Sequence, residues 1–177
     1  IYSTPLVIMA MIFIMSGLFF KVSLVPFHLW APDTYQGAPT TVTLYLSTIS
    51  KGAAVFALMV ILYKVFPVLA DTWKSILWII LLITITVGNL FALRQKNMKR
   101  FFAFSSISQA GYIMLSLFTG TTAGMAATIY YIFVYVFSNM AVFGVISAIE
   151  DKTGKVNMDD YNGLYKTNPK LALAMMI

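Results

Sequence analysis

The chain contains no cysteine. Disulfides, thiolate metal sites and Cys-ligated iron–sulfur clusters are therefore excluded. It has a single histidine and six acidic residues against twelve Lys and Arg, and no His/carboxylate metal cluster can be read from them. No Gly-rich phosphate loop and no nucleophile–base pair is present either, so nothing in the chain points to chemistry on an organic substrate. Charge of either sign is scarce, at 10% of residues, whereas soluble domains carry about 25%. What fills the space is apolar: 60% of residues, with a mean hydropathy of +0.85. This composition describes an integral membrane protein.

The net charge of +6 does not argue for nucleic acid. The basic residues gather in short segments between apolar runs, which is the pattern membrane insertion produces. The chain opens on Ile1 and closes on an apolar run shorter than a span needs, so it reads as a piece of a longer protein. No basic segment or small-residue cleavage site precedes the first run, which makes that run a span and not a signal peptide.

Uncharged apolar stretches predict one all-α domain, a polytopic transmembrane helix bundle over 1–177. Five complete spans are expected at about 5–31, 41–66, 74–94, 101–119 and 123–149, with the start of a sixth at 169–177. Each break has a chemical cause. Ala31-Pro32-Asp33 and Gly37-Ala38-Pro39 bracket the first loop, and Asp71-Thr72 is expected to cap the third helix. Arg94 to Arg100 is too charged to stay buried. Gly120-Thr121-Thr122 makes a polar turn, and Asn168-Pro169 starts a helix with proline at its first position. The stretch 150–168 reads as one solvated loop. The segments after spans one, three and five hold Arg94, Lys96, Lys99, Arg100, Lys152, Lys155, Lys166 and Lys170, against Lys64 and Lys74 on the other side. The positive-inside rule puts the first group inside.

Two lysines, Lys21 and Lys51, fall within apolar runs while the other ten basic residues lie at or beyond their ends. An ionisable side chain at mid-bilayer costs from about 3 to 10 kcal/mol or more, so it persists where it has a role. Lys21 lies ten residues before Ala31 and Lys51 ten after Thr41, each about 15 Å from the inner surface at the helical rise. The expectation is two amines level with each other near the middle of a core about 30 Å thick, exchanging protons directly or through water. Pro26 leaves the Val22 carbonyl without its helical donor and predicts a kinked or broken first span beside Lys21. His28, seven residues beyond Lys21, is a candidate proton relay to the inner surface. Further polar residues form stripes: Ser47 and Thr48 before Lys51, Ser105, Gln109 and Tyr112 in the fourth span, and Tyr131, Tyr135, Ser138 and Asn139 in the fifth. Most of these read as interhelical glue.

Three segments carry a family likeness: FKVSLVPFHLWAPDTYQGAPTTV, the Ser50-Lys51 pair, and NLFALRQKNMKRFFAFSSISQAGYIML. Together they resemble the antiporter-like proton-channel subunits of respiratory complex I, and the likeness covers essentially the whole chain. The resemblance implies that Lys21 is the lysine of a broken seventh helix, Pro26 its break, His28 the histidine of a PFHxW motif, and Lys51 the lysine of the eighth helix. It also implies a glutamate and a further lysine on helices outside this stretch. Gln109 stands where many members carry histidine, which sets this chain's fourth span apart. Proton translocation coupled to quinone reduction elsewhere is the implied activity. No cofactor is expected on this chain, with NADH, FMN, iron–sulfur clusters and quinone in other subunits of the parent complex. The implied partners are other membrane-arm subunits, the lipid bilayer and protons, in a bacterial plasma (inner) membrane. Related cation–proton antiporter and membrane-bound hydrogenase subunits share the ancestral motif, and a passive scaffold with lysines paired to carboxylates elsewhere is the remaining alternative.

Overall fold

The computed structural model describes residues 4–176, and these are helical with short connections. Five helical rods are long and apolar enough to cross a membrane: Pro5–Val22, Thr40–Val65, Pro67–Ala92, Met98–Phe118 and Thr122–Thr153. Within them lie α1 (Pro5–Val22), α3 (Thr40–Tyr45), α4 (Lys51–Val60), α5 (Ala70–Ala92), α6 (Met98–Phe118) and α7 (Thr122–Thr153). The short α2 (Trp30–Gly37), α8 (Leu164–Thr167) and α9 (Pro169–Ala174) lie between or after them. The expected bundle is thus present, with boundaries shifted by a few residues at most ends.

The first span is broken as expected, and the break is long. α1 stops at Val22 and helix resumes at Trp30. Ser23 adopts the left-handed conformation, φ +66°, and the Ser23 and Leu24 amides turn back to the Phe20 and Phe19 carbonyls at 3.0 and 2.9 Å. That is a Schellman stop, which places the end of α1 at Ser23, three residues before Pro26. Backbone groups freed at membrane depth need partners from the protein. The buried Thr84 hydroxyl of α5 accepts from the Val25 amide at 3.1 Å, and the Trp30 indole donates to the Phe20 carbonyl at 2.9 Å. The Val25–Pro26 peptide is cis.

The second span is continuous but not uniform. α3 passes into α4 through a π-helical turn, Leu46–Ser50, immediately before Lys51, and a second such turn, Ile61–Val65, closes the rod. Ser47 and Thr48 donate to the Leu44 carbonyl of their own helix at 3.1 and 2.6 Å. They do not glue neighbouring helices as the sequence suggests; back-bonding of this kind perturbs the helix that carries it.

Three sequence expectations need correction. Asp71 does not cap the third long helix: a 3₁₀ turn over Pro67–Leu69 leads into α5, and Asp71 lies inside its first turn, where its charge suits the helix dipole. The 150–168 stretch is not a plain solvated loop. α7 continues to Thr153, Asn157 pairs with Asn97 as an isolated bridge, and Met158–Tyr161 forms a 3₁₀ turn with a capping box. Nor is the Arg94 to Arg100 segment wholly exposed, since Lys99 is buried. Asn97 caps α6 through the Arg100 amide at 3.1 Å. Gly120, at φ +70°, and the Thr121 cap on Gly124 form the expected turn, and Pro169 opens α9.

The main core lies between the long helices and is built from Met11, Met15 and Phe19 of α1, Leu58 of α4, Trp73, Leu77 and Leu81 of α5, and Met114 and Leu117 of α6. Many other large apolar side chains, such as Phe13, Phe20, Phe91, Phe133 and Phe137, stay exposed on the outside of the bundle, as surface meant for lipid or neighbouring helices does. α5 and α6 approach most closely. A Cβ on Gly88 would lie 2.7 Å from the Ser108 amide nitrogen, and one on Gly111 would lie 2.6 Å from Ile85 Cγ1. Small residues at such crossings let backbones meet without side chains between them. Gly88→Ala should therefore push α5 off α6 and lower the thermal stability of the full-length protein in detergent by roughly 1–3 kcal/mol, as overpacked cores do. Gly144→Ala, inside α7 with nothing within 4 Å of the added carbon, should instead leave it equal or raise it by up to about 1 kcal/mol.

Candidate functional site

Lys51 opens α4 on the face turned toward α6, and it is 4% exposed. Its Nζ donates to the Ser106 hydroxyl at 2.8 Å and lies 3.3 Å from the Ser106 carbonyl. The Tyr35 ring of α2 sits 5.6 Å from the same nitrogen. Ser106 in turn donates to the Ala103 carbonyl at 2.7 Å. Among the described residues the ion pairs are Lys99–Glu150 and Arg100–Asp33, so Lys51 is held by a hydroxyl, a carbonyl and an aromatic face, with no carboxylate. A buried cation without a counter-charge is costly to keep. Such a group is suited to taking up and giving away a proton.

A small cavity of ≈ 10 Å³, about the space one water needs, is lined by Lys51. Val22, Gly52, Val55, Ala110, Ile113 and Ile132 form its apolar walls, and Ser106 and Tyr135 also line it. A larger cavity of ≈ 490 Å³ lies between α6 and α7, lined by Ser105, Gln109, Tyr131, Tyr135, Ser138 and Asn139 among others. The polar stripes predicted on the fourth and fifth spans thus face each other across one space, apart from Tyr112, which is exposed and not on its wall. Tyr131 donates to the Gln109 side chain across it.

The remaining candidates fall elsewhere. Lys21 occupies the last turn of α1, next to Val22 of the Lys51 cavity, but is itself exposed. The helical ruler that set it level with Lys51 does not apply across 23–29, where the chain is not helical. Pro26 is exposed within that break. His28 is buried, its Nδ1 without a partner among the described residues, and it lines a separate cavity of ≈ 690 Å³ with Asp33, Arg94 and Arg100. That cavity shares no lining residue with the one at Lys51.

Sequence reasoning missed Ser106 and Tyr35, and it missed the ion pair of Lys99. Ser106 lies on a small-residue face, Ala103, Ser106 and Ala110, whose helical spacing signals close approach of another helix. At the loop end that joins α6, α7 and the chain before α3, Lys99 Nζ pairs with Glu150 at 2.9 Å and reaches the Ala38 carbonyl at 3.2 Å. Glu150 also accepts from the Thr40 hydroxyl. Nearby, the Met98 and Met158 amides bond to the Val156 and Lys96 carbonyls at 2.9 and 2.8 Å. Lys99 is buried and Glu150 partly so, and removing the carboxylate strands the lysine. Glu150→Gln should cost the folded protein roughly 1–3 kcal/mol, and Glu150→Gln with Lys99→Met should recover part of that loss. Denaturation of both variants, compared as a double-mutant cycle, checks the coupling.

Comparison with known proteins follows this geometry. Residues 1–177 match a family described as NADH:quinone oxidoreductase/Mrp antiporter, TM. NADH-quinone oxidoreductase subunit N of Phocaeicola vulgatus is 64% identical over 175 residues, covering 98% of this chain and 37% of the relative. Among solved structures, respiratory complex I from Thermus thermophilus contains a chain 36% identical at a TM-score of 0.82, covering 98% of this chain and 38% of that one. The Mrp complex from Dietzia sp. DQ12-45-1b contains one 27% identical at a TM-score of 0.90, covering 98% and 32%. The chain thus spans about a third of the length of the relatives it matches.

Proposed function

The chain belongs to the membrane family shared by NADH:quinone oxidoreductase and Mrp antiporter subunits, and from that premise we propose that it is part of an antiporter-like, proton-translocating subunit of NADH:quinone oxidoreductase. One observation carries the reading: an amine at the start of α4 is buried against Ser106 with no carboxylate partner among the described residues. Lys51 takes up a proton when a neighbouring charge favours it and releases the proton when that charge moves. Electrostatics of this kind acts strongly because the amine is shielded from water. Lys21, on the last turn before the broken stretch, is the second amine of the path, and the break around Pro26 supplies irregular backbone beside it. His28 serves the inner end, where its cavity is rimmed by charged side chains.

The redox chemistry lies in other subunits, which hold NADH, FMN, iron–sulfur clusters and quinone. This chain contributes proton movement only, within the membrane arm and beside its other subunits, in a bacterial plasma membrane. The high identity to an N-type subunit supports this over cation–proton antiport. The close fold likeness to the Mrp chain makes antiport the second reading, and sodium-dependent flux through the assembled complex would establish it.

In the complete complex reconstituted into liposomes, Lys51→Met should sharply lower protons moved per electron while the subunits still assemble. Lys21→Ala should also lower it. Full pumping in Lys51→Met would leave the chain a passive scaffold.

A further inference from the structure

Three polar side chains line the Lys51 cavity: Lys51 itself, Ser106 and Tyr135. The Ser106 hydroxyl is already committed, accepting from Lys51 and donating to Ala103. The Tyr135 hydroxyl is buried and has no hydrogen-bond partner among the described residues. Buried hydroxyls are nearly always paired, so an unpaired one on a residue that lines a cavity asks for a partner. Tyr135 also lines the ≈ 490 Å³ space between α6 and α7. Lys51 and Ser106 do not. The residue therefore stands in the wall between a one-water chamber holding the amine and a larger chamber lined by Ser105, Gln109, Tyr131, Ser138 and Asn139.

We propose that the Tyr135 hydroxyl is the relay by which a proton passes between Lys51 and the α6–α7 cavity. This deepens the reading of Lys51 as a proton carrier and rests on it. The transfer balances without ionising the tyrosine. An N–H bond of the Lys51 ammonium breaks as an O–H bond forms on a water in the small chamber. That water gives a proton to the Tyr135 oxygen while the phenol's original O–H bond breaks toward a water in the outer chamber. Rotation of the hydroxyl restores the starting arrangement, and no electron changes hands. The Asn139 side chain donates to the Tyr135 carbonyl one turn back along α7, at 2.8 Å.

The test uses the assembled complex in liposomes, with protons moved per electron as the readout. Tyr135→Phe keeps the ring and the cavity wall and should lower that ratio several-fold, with electron transfer still measurable. A wild-type ratio in Tyr135→Phe beside a collapsed ratio in Lys51→Met overturns the relay and leaves the lysine reading standing. Wild-type ratios in both overturn the two together. If Tyr135→Phe does not assemble, 3,5-difluorotyrosine placed at position 135 preserves the shape and acidifies the phenol. A pumping rate whose pH profile shifts with that acidity supports the relay, and an unshifted profile overturns it.

Discussion

The hydrogen bond from Lys51 to Ser106 ties the start of α4 to the middle of α6, and the arrangement of the bundle follows from the need to house that amine. In hydrocarbon a charged nitrogen cannot be left to solvent, and the described residues offer it no carboxylate. The fold answers with small neighbours that let the helices come close. Ala103, Ser106 and Ala110 lie on one side of α6. Gly52 sits beside Lys51 on α4, where an added Cβ would lie 3.2 Å from Ile132 of α7. Replacing these small residues with larger ones would push the helices apart or close the small cavity beside Lys51.

The same logic of internal satisfaction governs the broken first span. α1 ends in a Schellman turn at Ser23, and the freed groups are taken up by Thr84 of α5 and by the Trp30 indole. The break is thus a built element, held in place from a neighbouring helix. It allows a stretch of irregular backbone at a depth where open backbone would otherwise be too costly. The π-helical turn preceding Lys51 is a second departure from regular helix. Such turns often accompany functional positions, and here one irregular segment follows Lys21 and the other precedes Lys51.

At one end of the bundle a different device operates. Lys99, Glu150, Thr40 and the Ala38 carbonyl join three connections that are far apart in sequence, and the Asn97–Asn157 pairing reinforces them. Partly buried charge is affordable there because water lies close by and each group has a partner. These contacts bring the segments after spans one, three and five to one end, where the Lys and Arg residues of the latter two gather as the charge count expects. The opposite end is held differently, by the Gly120 turn against Lys74 and by the Tyr63 hydroxyl on the Leu117 carbonyl at 2.8 Å.

Hydrophobic runs near twenty residues long determined the number and placement of the spans, because a bilayer imposes that length on any helix that crosses it. Scarce charge singled out Lys51 for the same reason: an ionisable group is conspicuous where lipid tolerates none. Local signals also marked the Gly120 turn, the Pro169 helix start and the broken stretch around Pro26. Tertiary structure alone decided that Lys51 meets Ser106 and Tyr35, that Lys21 is exposed, and that Lys99 is buried with Glu150 from 51 residues further along the chain. Those outcomes depend on which helix faces which, and helix packing is set by the fit of small and large side chains across the whole bundle, which no single segment encodes.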